Sequence, residues 1–330
     1  MAVTIKEIAA HAGISYQAVS AVLNGDLRRV SEAKREKIFT LAQELGYRPN
    51  AAARALVSGK TKLIGFITQD IRFPYHADLS YQIHQEAERR GYRILMMESN
   101  WDNQRTEECL RSMLNYQVDG ILTIGLPLSE CELELLNRNK VPIVLVDDRA
   151  SRFAAVEFNY QPGMTAAFEL LINSGHRTIA LAHDPVNDIK LNAYLECCRK
   201  FEIEPQEFHY RYPTIGGDQQ VLECGRQVTL AAKRPDALIV ASDYDAALFI
   251  QAFAGQGIKV PDNISLISID DTFICSITQP QLTSIRLDRT AMALAALDLL
   301  EDRIGNPDAL PEHRKCDTVL MQRQSVKIRG

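Results

Sequence analysis

From Leu63 onward the chain alternates short apolar runs with amphipathic stretches, and no other feature restricts its fold as much. Runs of four to six residues rich in Val, Ile and Leu suit strands covered on both faces, the habit of parallel sheets whose crossovers are helices. Leu63–Thr68, Ile94–Met97, Gly120–Ile124 and Ile143–Val146 fit that description. The alternation restarts after Asn159, with Thr178–Ala182, Ala237–Ala241 and Ser265–Asp270 as strands and helices beginning near Pro162, Val186, Asp218 and Tyr244. An amphipathic helix over Thr290–Ile304 and a last strand over Thr318–Met321 complete it. The expected fold class is α/β, with two doubly wound parallel-sheet lobes. A chain of 330 residues, 46% of them hydrophobic, has the material for cores of that size.

The first 48 residues have a different texture. Thr4-x-x-Glu7 forms a capping box, in which each side chain satisfies the other residue's orphan backbone donor, and Ile5, Ile8 and Ala9 follow on one helical face. Gly13 ends that helix, Ser15 caps a second that runs to Asn24-Gly25, and Ser31 caps a third carrying Ile38, Leu41, Ala42 and Leu45. Three short helices with a tight first turn match a helix-turn-helix. Its second helix shows Tyr16, Gln17, Ser20 and Ala21 on one face while Val19, Val22 and Leu23 turn inward. Such a face suits base edges in a major groove, and an ordinary polar surface fits it equally well.

Charge separates the same two regions. The chain as a whole is −5, but residues 1–60 hold nine bases and five acids, a local +4 on an otherwise acidic body. A small basic module beside a larger acidic one fits a nucleic-acid-binding head on a domain that binds something else. Seven scattered cysteines without C-x-x-C or paired histidine spacing suggest core thiols, with no disulfide framework, metal or cofactor expected. With no export leader and no run as long as a membrane span, the expected location is the cytoplasm.

Thr4-Ile5-Lys6-Glu7-Ile8-Ala9, Ala12-Gly13-Ile14-Ser15, Val19-Ser20, Leu23-Asn24, Val30-Ser31, Arg35 and Leu45-Gly46-Tyr47-Arg48-Pro49-Asn50 together closely resemble the lac/gal repressor headpiece. The resemblance continues in order through Gly175-His176-Arg177-x-Ile179, Ser268-Ile269-Asp270-Asp271 and Pro280-x-Leu282-Thr283-x-Ile285. It implies a head (1–48), a hinge (49–60) and a periplasmic-binding-protein-like effector core (61–330). The core's N-lobe would be about 61–157 and 287–316, its C-lobe about 158–286 and 317–330. It implies a DNA-binding transcriptional repressor, acting as a homodimer on a near-palindromic operator and controlled by a small polar effector, a sugar or sugar derivative. The chain's end soon after Arg323–Ser325, without a leucine-rich tail, agrees with a dimer.

By that resemblance Tyr16 and Gln17 read bases, Thr4, Ser15 and Asn24 cap helices or hold phosphates, and Ser20 belongs to the same DNA-facing side. Ala21 stands where most members have an arginine, and its methyl suits thymine, not guanine. In the hinge, Asn50 to Val57 form a helix of about two turns, too short to persist alone. Its twin would pair with it at Ala53, Leu56 would wedge into the minor groove, and Arg54 would lie near phosphate.

Ligands of open parallel sheets bind beyond the carboxyl ends of strands, which makes Asp70, Phe73, Asp147, Asp184, Asp243 and Asp270 candidates. A solvated loop acid is the commoner origin of any one of them. The resemblance favours Asp243 and Asp270, and adds Lys190 and Ser242, which replace the family's usual arginine and asparagine. Two other classes compete: an exported solute-binding protein, which leaves the basic head unexplained, and an enzyme, for which neither G-x-S-x-G nor a phosphate loop is present.

Overall fold

The computed structural model describes residues 3–24, 27–28, 30–47, 59–124, 130–148, 153–185, 188–211 and 217–329. The expected hinge contacts Asn50, Ala53, Arg54 and Leu56 lie outside the described residues. The chain forms two units, Met1–Lys62 and Leu63–Gly330.

In the first unit three helices pack around Ile8, Val19, Val22 and Ile38, all buried. Helix α1 (Ile5–Ala12) begins at the capping box: the Glu7 amide donates to Thr4 Oγ1 at 3.3 Å, and the Thr4 amide donates to Glu7 Oε2 at 2.7 Å. Gly13, at φ +64°, takes the left-handed turn that leads into α2 (Tyr16–Leu23), where Ser15 accepts from the Ala18 amide. Helix α3 (Glu32–Glu44) corrects one expectation, since the Ser31 side chain makes no capping bond. The Ser31 carbonyl instead accepts from the Lys34 and Arg35 amides, and the Arg35 guanidinium returns to the Val30 carbonyl at 2.6 Å.

The second unit contains two six-stranded sheets. The first runs β11-β5-β4-β3-β1-β2, with β1 Leu63–Thr68, β2 Arg93–Glu98, β3 Gly120–Ile124, β4 Ile143–Val146, β5 Ala154–Asn159 and β11 His313–Asp317, all parallel. Around it lie α4 (Pro74–Arg89), α5 (Asn103–Asn115), α6 (Glu130–Asn139) and α12 (Arg289–Gly305). The second sheet runs β12-β10-β9-β8-β6-β7, with β6 Ile179–His183, β7 Glu207–His209, β8 Ala237–Val240, β9 Ser265–Asp270, β10 Thr283–Arg286 and β12 Val319–Met321. Its helices are α7 (Tyr160–Asn173), α8 (Asp188–Lys200), α9 (Gly217–Leu230), α10 (Asp243–Ala254) and the single turn α11 (Ile274–Ile277). Buried strands such as β3, β4, β6 and β8 have no exposed residue, as sheets covered on both faces require.

The second sheet departs from pure parallel order, because β12 pairs antiparallel with β10. The reason lies in the connections. Strand β10 ends where the chain leaves for the first sheet, and β12 begins where the chain returns from β11 through Thr318 alone, so β12 must run the other way. Thr318 also ties two crossings together: its hydroxyl donates to the Asn159 carbonyl at 2.9 Å and accepts from the Gly163 amide at 3.0 Å. No side chain fits at Gly163, since a Cβ there would sit 2.4 Å from Ile285 Cγ2 and 2.7 Å from Thr318 Oγ1. Among the described residues no helix is long and apolar enough to cross a membrane.

Candidate DNA-reading face and effector cleft

Helix α2 turns Val19 and Val22 into the head's core, and with a helical period the opposite face must be open. Tyr16 is 55% exposed and Gln17 is exposed, while Ser20 and Ala21 are half-buried beside them. Asn24 closes the helix by donating its side-chain amide to Ser20 Oγ at 3.3 Å, so these two polar groups brace each other at the end of the face. Thr4 and Ser15 are exposed helix caps. The face offers a phenol, an amide and hydroxyls without an arginine, and of these the Gln17 amide can pair two-fold with an adenine edge.

In the larger unit the polar groups gather where strands of the two sheets end. Asp147, directly after β4, accepts a hydrogen bond from the Tyr75 hydroxyl at 2.8 Å and a longer one from the Tyr160 hydroxyl at 3.4 Å. Lys190 of α8 lies 5.6 Å over the Tyr160 ring, donates to the Ala241 carbonyl at 2.6 Å and reaches Asp270 Oδ1 at 3.8 Å. A continuous polar line thus joins the end of β4 in one lobe to the end of β9 in the other. Asp270 is buried, and that burial pushes its carboxyl up to about 8 against the opposing pull of Lys190. Burial raises Asp147 as well, although the Tyr75 hydrogen bond works against it.

Backbone strain marks the same place. Asp147, Asp270 and Asp271 adopt φ of +55°, +113° and +56°, conformations that cost a non-glycine residue on the order of 1–3 kcal/mol each and persist only where the surroundings impose them. Arg289, at the start of α12, helps impose them by donating to the Asp270 and Asp271 carbonyls at 2.5 and 3.0 Å. Aromatic rings flank the polar line. Phe73 meets Trp101 edge-on at 5.6 Å and Tyr244 at 5.5 Å, the latter a contact between lobes. His76 stands against Trp101, its imidazole held down to about 4 chiefly by burial, and its Nδ1 has no hydrogen-bond partner among the described residues.

The other expected acids behave differently. Asp243 is 1% exposed and its carboxylate accepts three hydrogen bonds: Oδ1 from Ser268 Oγ at 2.5 Å and Ser284 Oγ at 2.8 Å, and Oδ2 from the Thr272 amide at 2.5 Å. All three donors belong to the protein itself, so Asp243, expected at an effector, is held here by its own neighbours. Ser242 is spent as the N-cap of α10, accepting from the Asp245 amide at 3.1 Å. Asp70 is buried and held by the Arg72 guanidinium at 2.6 Å. Sequence reasoning passed over His76 and Arg289, since nothing local distinguishes them from helix-start residues.

Comparisons with known proteins agree with both halves. Residues 4–50 match the bacterial regulatory proteins of the lacI family, and residues 168–326 match the periplasmic binding protein-like domain. Catabolite control protein A of Priestia megaterium is 29% identical over 310 residues, covering 91% of this chain and 92% of that protein. A lac repressor dimer solved with operator and the anti-inducer ONPF superimposes with a TM-score of 0.85 at 24% identity, over 99% of this chain and 100% of the other. The cellobiose complex of the transcriptional regulator CelR does so at 0.70 and 23%, over 98% and 99%. With the head and the core each matched in order, and relatives aligned over nearly their whole length, the chain belongs to the lac/gal repressor family of bacterial transcriptional regulators.

Proposed function

We propose that this regulator binds a near-palindromic operator as a homodimer through α2, in the cytoplasm, and that a small polyhydroxylated effector in the cleft controls that binding. The relatives are regulators and not enzymes, and cellobiose occupies one of the structural neighbours. The observation that carries the reading is the line Tyr75–Asp147–Tyr160–Lys190–Asp270, which sets carboxylates, phenols and an ammonium at strand ends of both lobes, between aromatic rings. Carboxyl groups and phenols exchange hydrogen bonds with paired hydroxyls while rings stack on a sugar face, the set of contacts such a ligand needs. Phe73, Asp147, Lys190 and Asp270 contact the effector in this scheme, whereas Ser242 and Asp243 hold the start of α10 in place.

A ligand that bridges the lobes favours one lobe arrangement over another, and the hinge through Asn50, Ala53, Arg54 and Leu56 is the element that responds. A two-turn helix gains its stability from its twin and the minor groove, so small changes decide whether it forms. A thermal-shift screen of sugars, sugar acids and nucleosides identifies the effector, because a ligand specific to the native state raises the melting temperature. Calorimetry on Lys190→Met and Asp270→Asn then tests the site. Both variants should lose affinity for that ligand while still shifting operator DNA, and undiminished affinity in both moves the site elsewhere. Leu56→Ala should weaken specific operator binding and spare the salt-sensitive non-specific mode, which depends on phosphate contacts.

A further inference from the structure

Strands β6 and β7 pair in parallel at one edge of the second sheet, with His183 directly opposite His209. Glu207 shares a face with His209 because side chains alternate along a strand. The two imidazoles stand at 87°, centroids 5.1 Å apart, and both aim Nε2 at the same oxygen: Glu207 Oε2 lies 3.1 Å from His183 and 3.2 Å from His209.

His183 is 1% exposed, and its other nitrogen, Nδ1, lies 3.0 Å from the Asp184 carbonyl. A carbonyl only accepts, so Nδ1 carries the proton. In a neutral imidazole Nε2 is then a bare lone pair, and it faces a carboxylate oxygen that also only accepts. Either a proton on Nε2 or a metal ion in its place bridges the two atoms, and a metal ion also engages the His209 nitrogen on the same oxygen's other side. A tetrahedral ion bound at about 2.0–2.1 Å by nitrogen and oxygen separates its ligands by roughly 3.3–3.4 Å, close to both observed separations. One donor atom from each of the three residues lies within 4.8 Å of the other two.

We propose that His183, Glu207 and His209 bind one divalent transition-metal ion, Zn²⁺ by the donor set of two imidazoles and one carboxylate. The Asp184 carbonyl orients the buried ligand from behind, as second-shell acceptors do at histidine-ligated metals. The fourth position faces solvent, since His209 and Glu207 are 53% and 29% exposed. The ion staples β7, a strand of only three residues, onto β6, whose chain continues into the loop before α8 and Lys190.

The test uses full-length protein without an affinity tag, stripped with chelator and titrated with Zn²⁺ by calorimetry and with Co²⁺ by visible absorption. One ion per chain is expected, with tetrahedral Co²⁺ bands and a raised melting temperature. His209→Ala and Glu207→Gln alter exposed positions, so their melts in chelator should match the parent. In each, affinity should fall by about 100-fold or more, at or beyond the upper end for loss of an outer-shell partner. Undiminished binding in both variants, or no stoichiometric binding by the parent, overturns the proposal.

Discussion

Replacing Asp243 by alanine separates a residue that builds the cleft from one that touches its ligand. The carboxylate receives three buried hydrogen bonds, from Ser268, Ser284 and the Thr272 amide. Bonds to a charged acceptor contribute about 1.5–3 kcal/mol each, but the three share one group and do not add. The two hydroxyls can turn to other acceptors, and Ser268 already has Cys275 Sγ at 3.7 Å. The Thr272 amide cannot turn, and a stranded buried donor costs about 1–3 kcal/mol. Removing the charge also relieves Asp270, which Asp243 disfavours electrostatically. The net expectation is a loss of about 3–5 kcal/mol for Asp243→Ala, set by the buried bonds. Asp243→Asn should lose less, because its amide keeps one acceptor. At about 2–4 °C per kcal/mol for a large domain, the alanine variant should melt roughly 6–20 °C lower. Trp101, the only tryptophan, lies in the larger unit and reports its unfolding in urea without interference from the head. If Asp243→Ala unfolds within about 1 kcal/mol of the parent yet no longer binds effector, the carboxylate contacts ligand and the structural account fails.

Three further outcomes follow from other parts of the molecule. Asp270, at about 8 in the folded state against an ordinary 3.8, keeps a proton that the unfolded chain gives up, so it makes stability fall as pH rises from about 4 to about 8. Asp270→Asn should remove that slope, its advantage in melting temperature widening from pH 5 to pH 8, and an unchanged slope would assign the proton to another group. Gly163→Ala should cost about 1–3 kcal/mol in urea unfolding, because a Cβ 2.4 Å from Ile285 Cγ2 overpacks the crossing by more than the gain in helix propensity. A stabilised variant would show that the crossing yields. Ala21→Arg should create a guanine preference of about 1–3 kcal/mol in selection from random DNA, whereas a strong guanine requirement in the parent would contradict the reading of α2.

What the sequence alone determined is what depends on neighbours along the chain. The Thr4–Glu7 box, the turn at Gly13 and the buried runs of β1, β3, β4, β8 and β9 follow from side-chain period, φ preference and caps within a few residues, and they were legible. Strands β5, β7, β10 and β11 escaped, the last because it lacks that local signal: His313–Asp317 is polar, alternately exposed, and becomes a strand only because β5 offers it an edge. The cleft was half legible. A position just after a parallel strand is a local property, so Asp147, Asp243 and Asp270 all qualified. Their surroundings were set by distant groups: Ser268 and Ser284, 25 and 41 residues away, donate to Asp243, whereas Asp270 lies beside Lys190. His183 and His209 were likewise isolated in sequence and meet only through the register of β6 on β7. Hydrogen bonds and electrostatic interactions act through space, so the role of an acid or an imidazole is fixed only when the sheets bring distant segments together.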